Sequence, residues 1–231
     1  MRDALSPNID ARPDGVPVDM LILHYTGMQS GQAAIDRLRD PAARVSSHYV
    51  VEEDGEVWRL VPEHLRAWHA GVSHWRGHTV LNDRSVGIEI VNPGHEWGYR
   101  AFPAVQMAAV RDLCRGILAR HPIPARNVVG HSDVAPDRKQ DPGELFDWAG
   151  LAAEGVGLWA GRGLTAVASA LHGPLPGGKA AKAVFSDIGY GPGDLAITLM
   201  AFQRHWLPGN LSGQLDVPTW ARLRAVRDVM A

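Results

Sequence analysis

The sequence predicts an α/β chain, a central mixed β-sheet flanked by helices, followed by a small all-α three-helix domain. Three observations predict it. Short apolar runs alternate with segments of helical spacing through the first two thirds of the chain, the pattern of strands covered by helices. A glycine-rich stretch from 155 to 163 then changes the texture, and only helical patterns follow it. The composition is that of a folded protein: 231 residues, 45% hydrophobic and 21% charged, enough for one medium domain plus an appendage. The division falls at residue 160, giving units 1–160 and 161–231. Disorder, collagen and coiled coil are excluded. A formal charge of −2 with no block of Lys or Arg also argues against nucleic acid as a partner, because binding phosphates needs a clustered positive surface.

The elements follow in order. Val18–Leu23 is an apolar run consistent with a buried strand that delivers His24 at its carboxyl end. Gly31–Arg39 reads as a short helix. Val45–Val61 reads as a β-hairpin turning at Glu52-Glu53-Asp54-Gly55. A loop rich in Trp, His and Gly spans Ala67 to Asn82. Ser85–Val91 is a strand with Val86, Ile88 and Ile90 on one face and Gly87, Glu89 and Val91 on the other, so Glu89 is the one charged residue in an apolar strand. Phe102–Arg120 is a helix, with Phe102, Val105, Ala109, Val110, Leu113 and Ile117 at helical spacing; its Cys114, the single cysteine, is expected to be a buried thiol. Asn127–Gly130 is the last strand and ends at His131. Beyond the glycines, Leu164–Leu171, Asp194–Trp206 and Val217–Met230 read as helices, the last with Asp216 as its cap and Pro218 in its first turn.

Histidine and tryptophan point to the working half. Nine of 11 His lie in the first 131 residues and six of 8 Trp lie before residue 160. Polar groups fall at strand ends, the usual place for a site in an open α/β sheet: His24, Glu89 and His131, the last followed by Asp133, Asp137 and Asp141. Two His and a carboxylate leave a fourth position open, the ligand pattern of a catalytic zinc, and spacing alone leaves the three aspartates as alternatives.

The segments Ile22-Leu23-His24-Tyr25-Thr26, Val45-Ser46-Ser47-His48-Tyr49, Ala67-Trp68-His69-Ala70-Gly71, Leu81-Asn82-Asp83, Ser85-Val86-Gly87-Ile88-Glu89 and the run from Gly130-His131-Ser132-Asp133 to Asp141-Pro142-Gly143 carry a family resemblance. The chain resembles the zinc-dependent N-acetylmuramoyl-L-alanine amidases of the AmpD/AmiD type, relatives of the phage lysozyme-like amidases and the peptidoglycan-recognition proteins. The resemblance implies one Zn²⁺ per chain held by His24, His131 and Asp141, the aspartate followed by Pro-Gly. It implies Glu89 and Lys139 as catalytic residues, with Asp133 a turn-former or a partner of a ligand. The implied reaction is hydrolysis of the amide between N-acetylmuramic acid, mainly or also its 1,6-anhydro form, and L-alanine of the stem peptide.

Other positions have weaker support. His69 is expected to contact substrate and His48 to be structural. Trp68 and Trp75 are cleft candidates, and Asn82 and Arg84 candidate substrate contacts. His64, His74, His78, His95, His121, His172 and His205 match no motif and are expected at the surface.

The tail, Ala201-Phe202-Gln203-Arg204-His205-Trp206 and Gly213-Gln214-Leu215-Asp216, resembles a three-helix peptidoglycan-binding domain, with Leu195, Leu199, Phe202, Trp206, Leu223 and Val226 as core. The alternative to an enzyme is a non-catalytic peptidoglycan-recognition protein, which would lack a ligand or the glutamate. A glycosidase would want a pair of carboxylates. The expected partners are peptidoglycan fragments. No run is long enough for a membrane span, and Met1–Pro7 has no apolar core of a signal peptide, so the expected location is cytoplasmic, in peptidoglycan recycling, with the periplasm as the alternative if a leader has been removed.

Overall fold

The computed structural model describes residues 1–161 and 175–231. The helix expected over 164–171, the end of the glycine-rich stretch and His172 lie outside the described residues. The centre is a mixed six-stranded sheet in the order β1 (Arg2–Asp3), β5 (Val57–Arg59), β4 (Tyr49–Val51), β7 (Ser85–Ile90), β3 (Met20–Tyr25) and β8 (Val128–Gly130). β4 and β5 are the antiparallel arms of the expected hairpin, while β4, β7, β3 and β8 run parallel. A second, two-stranded antiparallel pair joins β2 (Ile9–Ala11) to β6 (Leu65–Ala67).

The helices are α1 (Gly31–Arg39), α2 (Gly94–Trp97), α3 (Ala104–Arg120), α4 (His131–Val134), α5 (Trp148–Ala153), α6 (Gly178–Ile188), α7 (Leu195–Trp206) and α8 (Val217–Met230). Their starts have local causes. Ser30 caps α1 by accepting from the Ala33 N–H, Asp194 caps α7 through the Ala196 and Ile197 N–H groups, and Asp216 caps α8 through Thr219.

Alternation along the strands sorts the chain into layers. Leu21, Leu23, Val86, Ile88, Ile90 and Val128 point to one face and pack with Val110, Cys114 and Ile117 of α3. Cys114 is fully buried, and burial pushes its thiol up to about 12. Val105, expected on the buried stripe of this helix, is 54% exposed at its first turn.

Met20, Ile22 and Val129 point to the other face. They share one apolar cluster with Val184, Phe185, Leu199, Phe202, Trp206, Leu223 and Val226 of α6, α7 and α8. The carboxy-terminal helices therefore close the second face of the sheet, and the boundary expected at residue 160 runs across a continuous core. Trp75, expected in the cleft, is 1% exposed inside this cluster, where its ring meets Tyr190 edge-on at 5.3 Å. His205, expected at the surface, is 3% exposed because α7 turns it inward between two indole rings. A third cluster, Ile35 and Leu38 of α1 with Val50, Leu60 and Val61, covers the hairpin side.

Candidate active site

Parallel register brings the polar strand ends together. His24 of β3 pairs with Glu89 of β7, and Leu23 pairs with Gly130, so that His131 follows immediately at the start of α4. Gly130 is required at this corner: a Cβ there would lie 2.8 Å from Cδ of Pro142. The Ser132 N–H donates to the Asp141 carbonyl at 2.9 Å, which ties the segment after His131 to the one that carries Asp141.

The three side chains converge. His24 Nδ1 lies 2.9 Å from His131 Nδ1, and Asp141 Oδ2 lies 3.1 Å from each. All three residues are buried. Hydrogen-bond direction fixes where the protons sit. Ser85 Oγ donates to the Leu81 carbonyl at 2.7 Å, so it accepts from His69 Nε2 at 3.1 Å. Burial pushes the His69 pKa well below its ordinary value, with the neighbouring His24 adding to the shift, so this ring is neutral. Its bare Nδ1 then accepts from His24 Nε2 at 3.0 Å. Burial, aided by His131, likewise lowers His24 to about 4, so neutral His24 keeps its lone pair at Nδ1. On the other side His131 Nε2 donates to the Ala70 carbonyl at 3.1 Å, which turns Nδ1 toward the cluster. Burial opposes ionisation of Asp141, but charge attraction and hydrogen bonding to His131, then His24, outweigh it and hold the carboxyl well below its usual range. Two ring nitrogens and one carboxylate oxygen thus face one spot, an arrangement suited to a shared cation. Among the described residues, His24, His131 and Asp141 form a cluster able to hold a metal ion.

Glu89 stands beside this cluster with Oε2 buried and without a hydrogen-bond partner among the described residues. Burial, then the charge of Asp141, raises its pKa well above the ordinary value, and Lys139 opposes the shift. Both side chains line a cleft of about 430 Å³, together with Trp68, His69, Tyr25 and Arg37.

The remaining expected residues land in different places. His69 is 8% exposed and sits behind His24 on the cleft wall; its ring lies over Gly87, where a Cβ would come within 2.5 Å of it. Trp68 is partly buried at the cleft, and its Nε1 donates to Asp10 at 2.7 Å. Asn82 lies beneath the loop, its Oδ1 accepting from the His69 and Ala70 N–H groups. Arg84 points away from the cleft and is paired with Asp19. His48 is fully buried and accepts from the Gly87 N–H. Two contributors are absent from the sequence-based expectations. Ser85 ends the hydrogen-bond chain behind His24. Arg138 pins the loop that His131 leans on, donating to the carbonyls of Ala70 (2.6 Å) and Val72 (2.8 Å). Both lie inside the motif segments, but nothing in their spacing distinguishes them.

Residues 14–144 match the N-acetylmuramoyl-L-alanine amidase family, a stretch that holds every side chain of the cluster. The chain belongs to this family. Among relatives of the amidase, N-acetylmuramoyl-L-alanine amidase AmiD of Escherichia coli strain K12 is 36% identical over 90% of this chain and 82% of its own length. The 1,6-anhydro-N-acetylmuramyl-L-alanine amidase AmpD of the same strain is 39% identical over 62% of this chain and 86% of its own. The solved structure of E. coli AmiD in complex with the substrate anhydro-N-acetylmuramic acid-L-Ala-D-gamma-Glu-L-Lys superimposes with a TM-score of 0.83 at 33% identity, covering 95% of this amidase and 93% of AmiD. That match includes the carboxy-terminal helices. Among the described residues, no helix of the amidase is long and apolar enough to cross a membrane.

Proposed function

We propose that the chain hydrolyses the amide between the lactyl group of N-acetylmuramic acid, chiefly in its 1,6-anhydro form, and L-alanine of the stem peptide, with one zinc ion held by His24, His131 and Asp141. The observation that carries this reading is the convergence of two imidazole nitrogens and one carboxylate oxygen beside the unpartnered Glu89 Oε2. Two imidazole nitrogens and one carboxylate oxygen are a donor set suited to zinc with a position left open. Bound zinc supplies a Lewis acid that polarises the scissile carbonyl and makes water a stronger acid.

The chain's own groups do the rest. Glu89 takes a proton from the attacking water at Oε2 and returns it to the nitrogen as the C–N bond breaks, so the peptide leaves as a free amine and the lactyl group as a carboxylate. Lys139 brings positive charge to the side where the oxyanion grows. Trp68 offers a ring to stack on the sugar or peptide, and His69 keeps the His24 lone pair turned inward. We assign Asn82 to the support of the 69–70 loop rather than to substrate, and Arg84 to its ion pair with Asp19. A non-catalytic recognition protein would lack a ligand or the glutamate, and all of them are present. We further propose that 1–160 is the catalytic unit, that 161–231 is a peptidoglycan-binding-like unit docked on it, and that the enzyme works on recycled fragments in the cytoplasm; cell fractionation tests the last point, and recovery from the periplasm would overturn it.

The deciding experiment incubates the zinc-loaded protein with anhydro and ordinary N-acetylmuramoyl peptides and follows products by mass. Release of peptide beginning with free L-alanine, faster from the anhydro substrate, is expected. A fully zinc-loaded protein that releases no peptide from either substrate sinks the proposal.

A further inference from the structure

Asp133 is 1% exposed and lies two residues beyond His131. Its Oδ2 accepts from the Gly130 N–H at 2.8 Å and from His205 Nδ1 at 2.7 Å, and its Oδ1 accepts from the Tyr190 hydroxyl at 2.6 Å. A carboxylate this deep needs its charge met by donors. One donor is the backbone of the corner between β8 and α4, and the other two come from the carboxy-terminal region, Tyr190 just after α6 and His205 in α7.

His205 is held rigidly. Its ring is stacked between Trp148 at 3.9 Å and Trp206 at 4.2 Å, with planes 17° and 8° from parallel. With Nδ1–H given to Asp133, Nε2 is left buried with no partner among the described residues. A residue that merely filled this space would do so better without a stranded nitrogen, so the imidazole is there for the bond to Asp133. The corner itself cannot set its own direction. Helix α4 is only four residues long, His131 to Val134, too short to be stable alone, and it packs against α7. His131 is its first residue.

We propose that Tyr190 and His205 are positioning residues for the metal ligand His131. Acting through Asp133, they fix the corner from which that imidazole reaches the cluster, and so make the carboxy-terminal helices a working part of the metal centre. This rests on the zinc reading above.

The test compares Tyr190→Phe and His205→Leu with His205→Asn, which restores an N–H donor, and with Leu223→Ala, a fully buried side chain of the same core that makes none of these bonds. Four quantities are measured: zinc affinity by chelator competition, the visible spectrum of the cobalt(II)-loaded protein, kcat and KM separately, and the melting temperature of the metal-free protein. Tyr190→Phe and His205→Leu are expected to weaken zinc by about 3- to 10-fold, somewhat less than loss of a direct partner of a ligand. They should also shift the cobalt spectrum and lower kcat at unchanged KM, and His205→Asn should recover most of each loss. Leu223→Ala should lower the melting temperature at least as far and leave zinc affinity and the cobalt spectrum alone. The inference is overturned if the first two variants lose only melting temperature, or if Leu223→Ala weakens zinc in proportion to its own destabilisation. A wild-type chain that binds no zinc would instead overturn the metal reading itself, and this inference with it.

Discussion

The two faces of the ladder formed by β7, β3 and β8 are made from alternate residues of the same strands, yet they obey different rules. On one, Leu21, Leu23, Val86, Ile88 and Ile90 meet α3 in a sealed apolar layer. On the other, Met20 and Ile22 are covered by the carboxy-terminal helices, but the next residue in that row is His24, and its neighbour across the ladder is Glu89. The first face gains by removing apolar surface from water, and its residues are interchangeable within limits of volume. The second holds buried polar atoms whose direction matters, because each proton along the path from Leu81 through Ser85 and His69 to His24 has one acceptor. Packing tolerates substitution where a directed chain does not.

Substitutions on the two faces should separate these roles. His131→Ala removes a ligand and is expected to abolish bound zinc, measured by metal analysis, and to cut kcat/KM by at least about 10⁴-fold, the several kcal/mol of transition-state stabilisation a metal supplies. Glu89→Gln leaves the cluster intact, so it should keep its zinc and lose about 10³-fold in kcat; an active Glu89→Gln enzyme would break the assignment of the proton carrier. Gly87→Ala drives a methyl group into the His69 ring and should weaken zinc by roughly 10- to 100-fold in a chelator titration, with the fold retained by circular dichroism. Ile88→Ala, one residue along and on the opposite face, should cost about 2–5 kcal/mol in denaturant unfolding, while the folded fraction keeps its zinc and kcat. If Gly87→Ala and Ile88→Ala behaved alike, the distinction between the faces would fail.

The long or strongly patterned elements were readable from residues alone. α1 falls on the expected residues, β7 shows its alternation, α8 carries its expected Asp216 cap, and α7 starts one residue after Asp194. Strands of two or three residues, β1, β2 and β6, have no room for a period and went unseen. α6 is absent from the expected helices, although Ala181, Val184, Phe185 and Ile188 recur at helical spacing.

At the site, strand ends pointed to His24, Glu89 and His131, because a parallel sheet gathers its carboxyl ends. Which aspartate joins them was open on spacing, and geometry separates the three: Asp141 faces the imidazoles, Asp133 faces the carboxy-terminal helices, and Asp137 is exposed. The inward turn of His205 and the burial of Trp75 depend on contacts with residues 57 to 115 positions away in sequence, which no local pattern encodes.

The pairing of His24 with Glu89 has a consequence for how such a chain can change its length. Adjacent residues of β3 point to opposite faces, so inserting one residue between Met20 and His24 while keeping the upstream pairing would turn the imidazole into the apolar layer beneath α3. Two inserted residues would return it to the right face but carry it beyond Glu89. Insertions and deletions in this lineage should therefore collect in the loops between strands, where they alter neither the facing nor the level of His24 and Glu89.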